Sequence, residues 1–229
     1  MVLSLKLTAV RSSDVASVAE SVAGFAALHG VPSELVPVEA AMRRKAVIVV
    51  PPVNGWTVIG WPRFTSFPIG VSRWLSAELN TVASVVDVFD DDWSHVAISD
   101  GVVRDRYSTT PLNQVSPGTT SREANRRWGG NPRAVGVTFG VDPDPIAPYF
   151  AGVGIRLLKA LWHRARPSYS GKVWPDDSFA LWKVWAFVDL WRHLGITYPE
   201  PQAAEGEHRI GVAYETFDSP PLSTDSDAD

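Results

Sequence analysis

The sequence predicts an α+β fold, and three observations carry that reading. The first 110 residues or so alternate short β-rich runs with helical spacings. The residues after about 120 show helical spacings almost alone. Two turn signals, Asn54-Gly55 and Asp100-Gly101, each lie between β-rich runs and announce antiparallel hairpins.

In the first half, Leu3 to Val10 alternates and reads as a strand. Ser12, Ser13 and Asp14 offer an N-cap to a helix from Val15 to His29, with apolar residues at Val18, Val22, Phe25 and Ala26, and Gly30 is its stop. Val31 to Val38, with Pro32 and Pro37, reads as loop or short edge structure. Ala46 to Val50 is a short buried strand ended by Pro51-Pro52, and Trp56 to Trp61 is its hairpin partner. Val71 to Leu79 reads as a short helix and Val82 to Phe89 as a strand. An acidic turn at Asp90-Asp91-Asp92 follows, and then a hairpin of His95 to Ser99 with Val102 to Tyr107. This order predicts a mixed or antiparallel sheet of ferredoxin-like, split βαβ order, with an extra hairpin strand at one edge.

Ser108 to Ser121 is polar and holds Pro and Gly, so 111–121 reads as a linker between a 1–110 sheet domain and a 122–200 helical subdomain. Ser121 caps Arg122 to Trp128. Asn131-Pro132 opens a helix to Phe139 that Gly140 stops, and Asp142-Pro143 opens another to about Phe150. Val153 to Arg164 is a basic amphipathic helix with Ile155, Leu158 and Trp162 at helical spacing. The subdomain is predicted to pack around a helix at 178–194. That segment holds Trp182, Trp185, Trp191, Phe179 and Phe187, takes its N-cap from Asp176, Asp177 or Ser178, and ends at Gly195. A helix so apolar all round is expected to be buried on several sides. The remainder, 201–229, reads as mostly irregular. Within it Ile210 to Tyr214 adds a short strand, and an acidic, disordered tail begins near Ser219.

The chain has 229 residues, 45% of them hydrophobic, with ten Trp, enough for a large packed core. Its formal charge of −4 predicts no broad attraction to nucleic acid or to an anionic bilayer. It has no Cys, which removes disulfides, thiolate metal sites and Cys nucleophiles. Together with an N-terminus unlike a signal peptide, this points to the cytoplasm, and the composition to a bacterial one. The 178–194 segment carries Lys183, Asp189, Arg192 and His193 and reads as part of a soluble protein.

The densest polar cluster is Asp90, Asp91, Asp92 and His95. Carboxylates and an imidazole suit a divalent cation, with Asp90, Asp92 and His95 as candidate ligands, and all four residues suit acid–base hydrolysis. Strand alternation argues against one site, and a solvated turn explains the run as well. No nucleophile elbow, dinucleotide fingerprint or phosphate loop is present. The Arg-rich stretch Arg122–Arg133, ahead of two short helices about Gly140, offers a nucleic-acid reading, but the second of those helices brings Asp142 and Asp144 toward phosphate. Trp56, Trp61, Phe64 and Phe67 form an aromatic-rich stretch that offers a binding surface.

The expected function is therefore a non-enzymatic protein–protein interaction module: an adaptor, an immunity-type protein or a complex subunit. The partner is another protein or a second copy of the chain, with no cofactor and no membrane. A metal-dependent or acid–base hydrolase and a nucleic-acid binder are the alternatives.

Overall fold

β1 (Ser4–Val10) lies at the heart of one eight-stranded sheet, with antiparallel neighbours on both sides. The structure, a computed structural model, describes residues 4–31, 33–37, 46–62, 68–166, 170–199 and 210–214. The other strands are β2 (Ser33–Pro37), β3 (Val47–Val49), β4 (Thr57–Trp61), β5 (Val82–Phe89), β6 (Asp92–Ser99), β7 (Val102–Ser108) and β8 (Ile210–Tyr214). Their order is β2-β8-β3-β4-β1-β5-β6-β7, and every neighbouring pair is antiparallel.

The predicted α+β class is the one observed. The sheet is larger than a split βαβ unit with one added strand, since β6 and β7 extend one side and β8 and β2 the other. Turn chemistry sets the hairpins. Asn54 and Gly55 both take positive φ, 53° and 79°, between β3 and β4, as a two-residue loop matched to strand twist requires. Asp100 and Gly101 repeat this between β6 and β7, at 53° and 74°. β2 ends in Pro37 and forms the outer edge, where a missing N–H breaks no ladder.

Two helices, α1 (Val15–Leu28) and α2 (Pro68–Glu78), cover one face of the sheet. Val18, Val22, Val71 and Leu75 pack there on Val10, Ile59, Val85 and Ile98. α3 (Ser121–Trp128) adds Trp128 to the same cluster. On the other face lie α4 (Pro132–Phe139), α5 (Pro143–Ile146), a 3-10 turn over Ala147–Phe150, and α7 (Ala186–His193). Their Phe139, Phe187, Leu190 and Trp191 share one core with Leu7, Val58, Val86 and Trp93 of the sheet. Among the described residues, α6 (Val153–Ala165) is the remaining α-helix. Among the described residues, no helix is long and apolar enough to cross a membrane.

The Trp-rich segment corrects its prediction. Only 186–193 is α-helical, and 178–185 forms turns and bends. Two buried carboxylates account for this. Asp189 accepts the N–H groups of Ser178 and Phe179, both at 2.8 Å. Asp177 accepts those of Val173 and Trp174 at 3.1 and 2.9 Å. Asp189 thus ties the first residues of the predicted helix back onto α7, and Asp177 ties down the loop before it, so the chain there is held as a folded-back loop. The predicted end does hold: Gly195 has φ +79°, and Ile196 N–H reaches Trp191 C=O at 2.8 Å, the six-to-one bond of a glycine-terminated helix.

Candidate functional site

The acidic run divides by position. Asp90, with φ 57°, and Asp91 are exposed at the tip of the β5–β6 hairpin. Asp92 is half-buried and secures the chain after β7: its Oδ1 accepts from the hydroxyls of Thr109 (3.1 Å) and Thr110 (2.5 Å), and its Oδ2 from Asn113 (3.2 Å). His95 lies wholly within the core, where its ring meets Phe139 and Phe150. Burial lowers its pKa to about 3, so it is neutral. The four candidate catalytic residues are therefore not brought together, because alternation along β6 separates Asp92 from His95. Among the described residues, no group of three or more carboxylates and imidazoles suits a metal ion.

The aromatic surface predicted at Trp56 and Trp61 is also corrected. Trp56 stacks on Phe139 with ring centroids 5.8 Å apart, beneath the Arg11 guanidinium at 4.9 Å. Trp61 donates its indole N–H to Thr8 Oγ1 at 2.9 Å. Both are buried, and they belong to the cores on opposite faces of the sheet. Because both faces of the sheet are covered, Trp61 of β4 and Trp56 just before it each meet a core. Phe64 and Phe67 lie outside the described residues.

The Arg-rich stretch keeps Arg122, Arg126, Arg127 and Arg133 at the surface. The second helix of the pair about Gly140 is only the single turn Pro143–Ile146, carrying Asp144. A helix that reads a major groove presents several side chains along its length, and this one is too short to do so.

A polar knot sits where α7 meets the 3-10 turn. Tyr149 donates to Asp177 Oδ1 at 2.6 Å, and Arg192 Nη2 approaches the same oxygen at 2.8 Å. His193 Nε2 is 3.6 Å away. Burial and the hydrogen bond to Asp177 raise the Tyr149 pKa, which keeps the phenol protonated. With Oδ2 of Asp177 holding two backbone N–H groups, the carboxylate is saturated and braces the loop.

The remaining feature is α6, and it is unlike the other helices. Ile155, Leu157, Leu158, Leu161 and Trp162 are each more than half exposed. Arg156, by contrast, is only 6% exposed. Its Nε donates to Ala151 C=O at 3.2 Å, Nη1 to Leu181 C=O at 2.6 Å and Nη2 to Tyr149 C=O at 3.1 Å. The guanidinium also sits 5.4 Å from the centroid of the Trp93 ring. His163, two turns on, packs its ring against Trp182 at 5.3 Å. The helix is thus pinned through a cation and an imidazole, and its five large exposed apolar residues lie away from that pin. The sequence reading recognised an amphipathic helix here but missed Leu157, Leu161 and the pin. The signal that could have found the pin is an Arg standing between Ile155 and Leu157, with three backbone carbonyls as the acceptors that justify burying it. No protein-family profile, no curated protein and no solved structure matches the chain.

Proposed function

We propose that the protein is a non-enzymatic interaction module, an adaptor or complex subunit, which binds another protein through the outward face of α6. The observation that carries this reading is the set of large apolar side chains exposed together on α6. Scattered exposed hydrophobics are ordinary, whereas a contiguous patch on a formed helix marks a contact surface. The scattering of the Asp90, Asp91, Asp92 and His95 candidates supports a binding role over a hydrolytic one. The lack of Cys supports a reducing compartment, such as a bacterial cytoplasm, as its setting.

The experiment is affinity purification of the full chain from its source cell beside L158D/W162D. Both positions are exposed, so the variant is expected to keep its thermal midpoint while losing its stoichiometric partner. A partner retained in full by the variant sinks the assignment to α6.

A further inference from the structure

This inference rests on α6 as the docking surface and names the chemistry of what docks there. At about 100° per residue, the exposed side chains of α6 form two ridges. Leu157 and Leu161 make one; Ile155, Leu158 and Trp162 make the other. Together they span nearly half the helix circumference, opposite the buried Arg156. Arg164 borders the first ridge and Lys159 the second, and Arg166 follows directly after the last helical residue. No Asp or Glu occurs between Asp144 and Asp176, although the chain as a whole carries −4. The apolar face is therefore framed by cations on both sides, in a chain whose negative charge lies elsewhere.

We infer that the occupant is a protein presenting an apolar groove bordered on both sides by carboxylates. Anchors at i, i+3 and i+7 are the pattern of a helix laid in a groove, and flanking charges of one sign select a partner of the other. A second copy of the chain fits poorly. Two α6 helices face to face would bring Lys159, Arg164 and Arg166 of one against their counterparts with no carboxylate between them. An anionic bilayer also fits less well. Its attraction for the few cations of α6 is modest, and a body of net negative charge opposes the approach. Arg156 holds the helix in place before any contact, and such preorganisation suits a shaped groove.

The test uses the full chain in its source cell with photo-reactive benzoylphenylalanine in place of Leu161. The protein adduct is identified by mass spectrometry and purified. That protein, prepared free of the cross-link, is then titrated with the wild-type chain, L158A/W162A and K159E/R164E at two salt concentrations. Thermal midpoints confirm that both variants fold. The expected results are an adduct to a different protein, affinity weaker by about tenfold or more for each double variant, and weaker wild-type binding at higher salt. If L158A/W162A loses binding while K159E/R164E and salt change nothing, α6 stands as the docking surface and the acidic groove is overturned. Unchanged binding by L158A/W162A overturns both. An adduct at twice the chain mass overturns the inference in favour of a second copy. Cosedimentation with equimolar phosphatidylglycerol–phosphatidylcholine vesicles, abolished in L158A/W162A, overturns it in favour of a bilayer. The absence of any protein adduct overturns it as well.

Discussion

The indole of Trp191 and the imidazole of His95 meet on one hydroxyl, that of Ser84, each at 2.9 Å. Trp191 comes from α7, His95 from β6 and Ser84 from β5, so the relay links the helical layer to the sheet. An indole can only donate. When the Ser84 proton is then directed at His95 Nε2, the imidazole proton lies on Nδ1, which has no partner among the described residues. Ser84→Ala leaves the Trp191 N–H and both imidazole nitrogens unpaired in the core. The expected loss is about 1–3 kcal/mol of stability, read as a lower urea midpoint with an unchanged slope. A midpoint equal to wild type would mean that the relay carries no stability.

The same imidazole gives the fold an acid-sensitive term. His95 is held neutral in the folded chain, with its pKa lowered by burial from 6.5 to about 3. The unfolded chain takes up that proton near pH 6.5, the folded chain only near 3. Stability from this group is thus present above 6.5 and lost as pH falls between those values. Asp105 acts in the opposite sense. Burial raises its pKa to about 6 from 3.8, so the folded chain binds a proton first between those two values, and acid there favours the fold. The paired expectation is that His95→Gln flattens the decline in thermal midpoint between about pH 7 and 4, while Asp105→Asn steepens it. Equal slopes in all three proteins would exclude both groups as the source.

Local chemistry made much of this fold legible. The Asn54-Gly55 and Asp100-Gly101 turns, the Asp14 and Asn131 caps, and the Gly30, Gly140 and Gly195 stops all depend on neighbours close in sequence. What was not legible depends on atoms brought from far away. Residues 178–185 are as apolar as a buried helix, but a buried loop has the same composition. Only the backward reach of Asp189 to Ser178 and Phe179 distinguishes the two. Trp56 and Trp61 looked like surface aromatics because nothing local says that both faces of β4 are covered. Periodicity located the apolar face of α6 but not its direction. That depends on the carbonyls of Tyr149, Ala151 and Leu181 accepting Arg156.

Asp189 provides a graded test of the folded-back loop. Asp189→Ala orphans two N–H groups and is expected to lower stability by about 2–4 kcal/mol. Asp189→Asn keeps one acceptor oxygen, so its loss should be roughly half as large. Hydrogen exchange at Ser178 and Phe179 should speed up in the same order. Equal losses in the two variants would show that the charge of Asp189, and not its bonds to 178 and 179, sets the stability.

Arg156 decides whether α6 is presented at all. Its side chain supplies buried polar contacts that hold the helix, while Ile155, Leu157, Leu158, Leu161 and Trp162 are more than half exposed. Burial lowers its pKa, yet a guanidinium ordinarily titrates so high that it stays charged over the working pH range. Arg156→Met keeps the aliphatic length but abandons three carbonyls, of which that of Ala151 still receives the Tyr107 hydroxyl at 3.0 Å. The expected loss is about 2–4 kcal/mol, from buried acceptors left without a donor. Its distribution is the sharper criterion. Residues 153–165 should lose hydrogen-exchange protection, and trypsin should cut at Lys159 and Arg164 well before the sheet opens, while the amides of β1 and β5 keep wild-type protection. Uniform loss of protection across helix and sheet would instead make Arg156 a part of the global core, and the presentation of α6 a consequence of the whole fold.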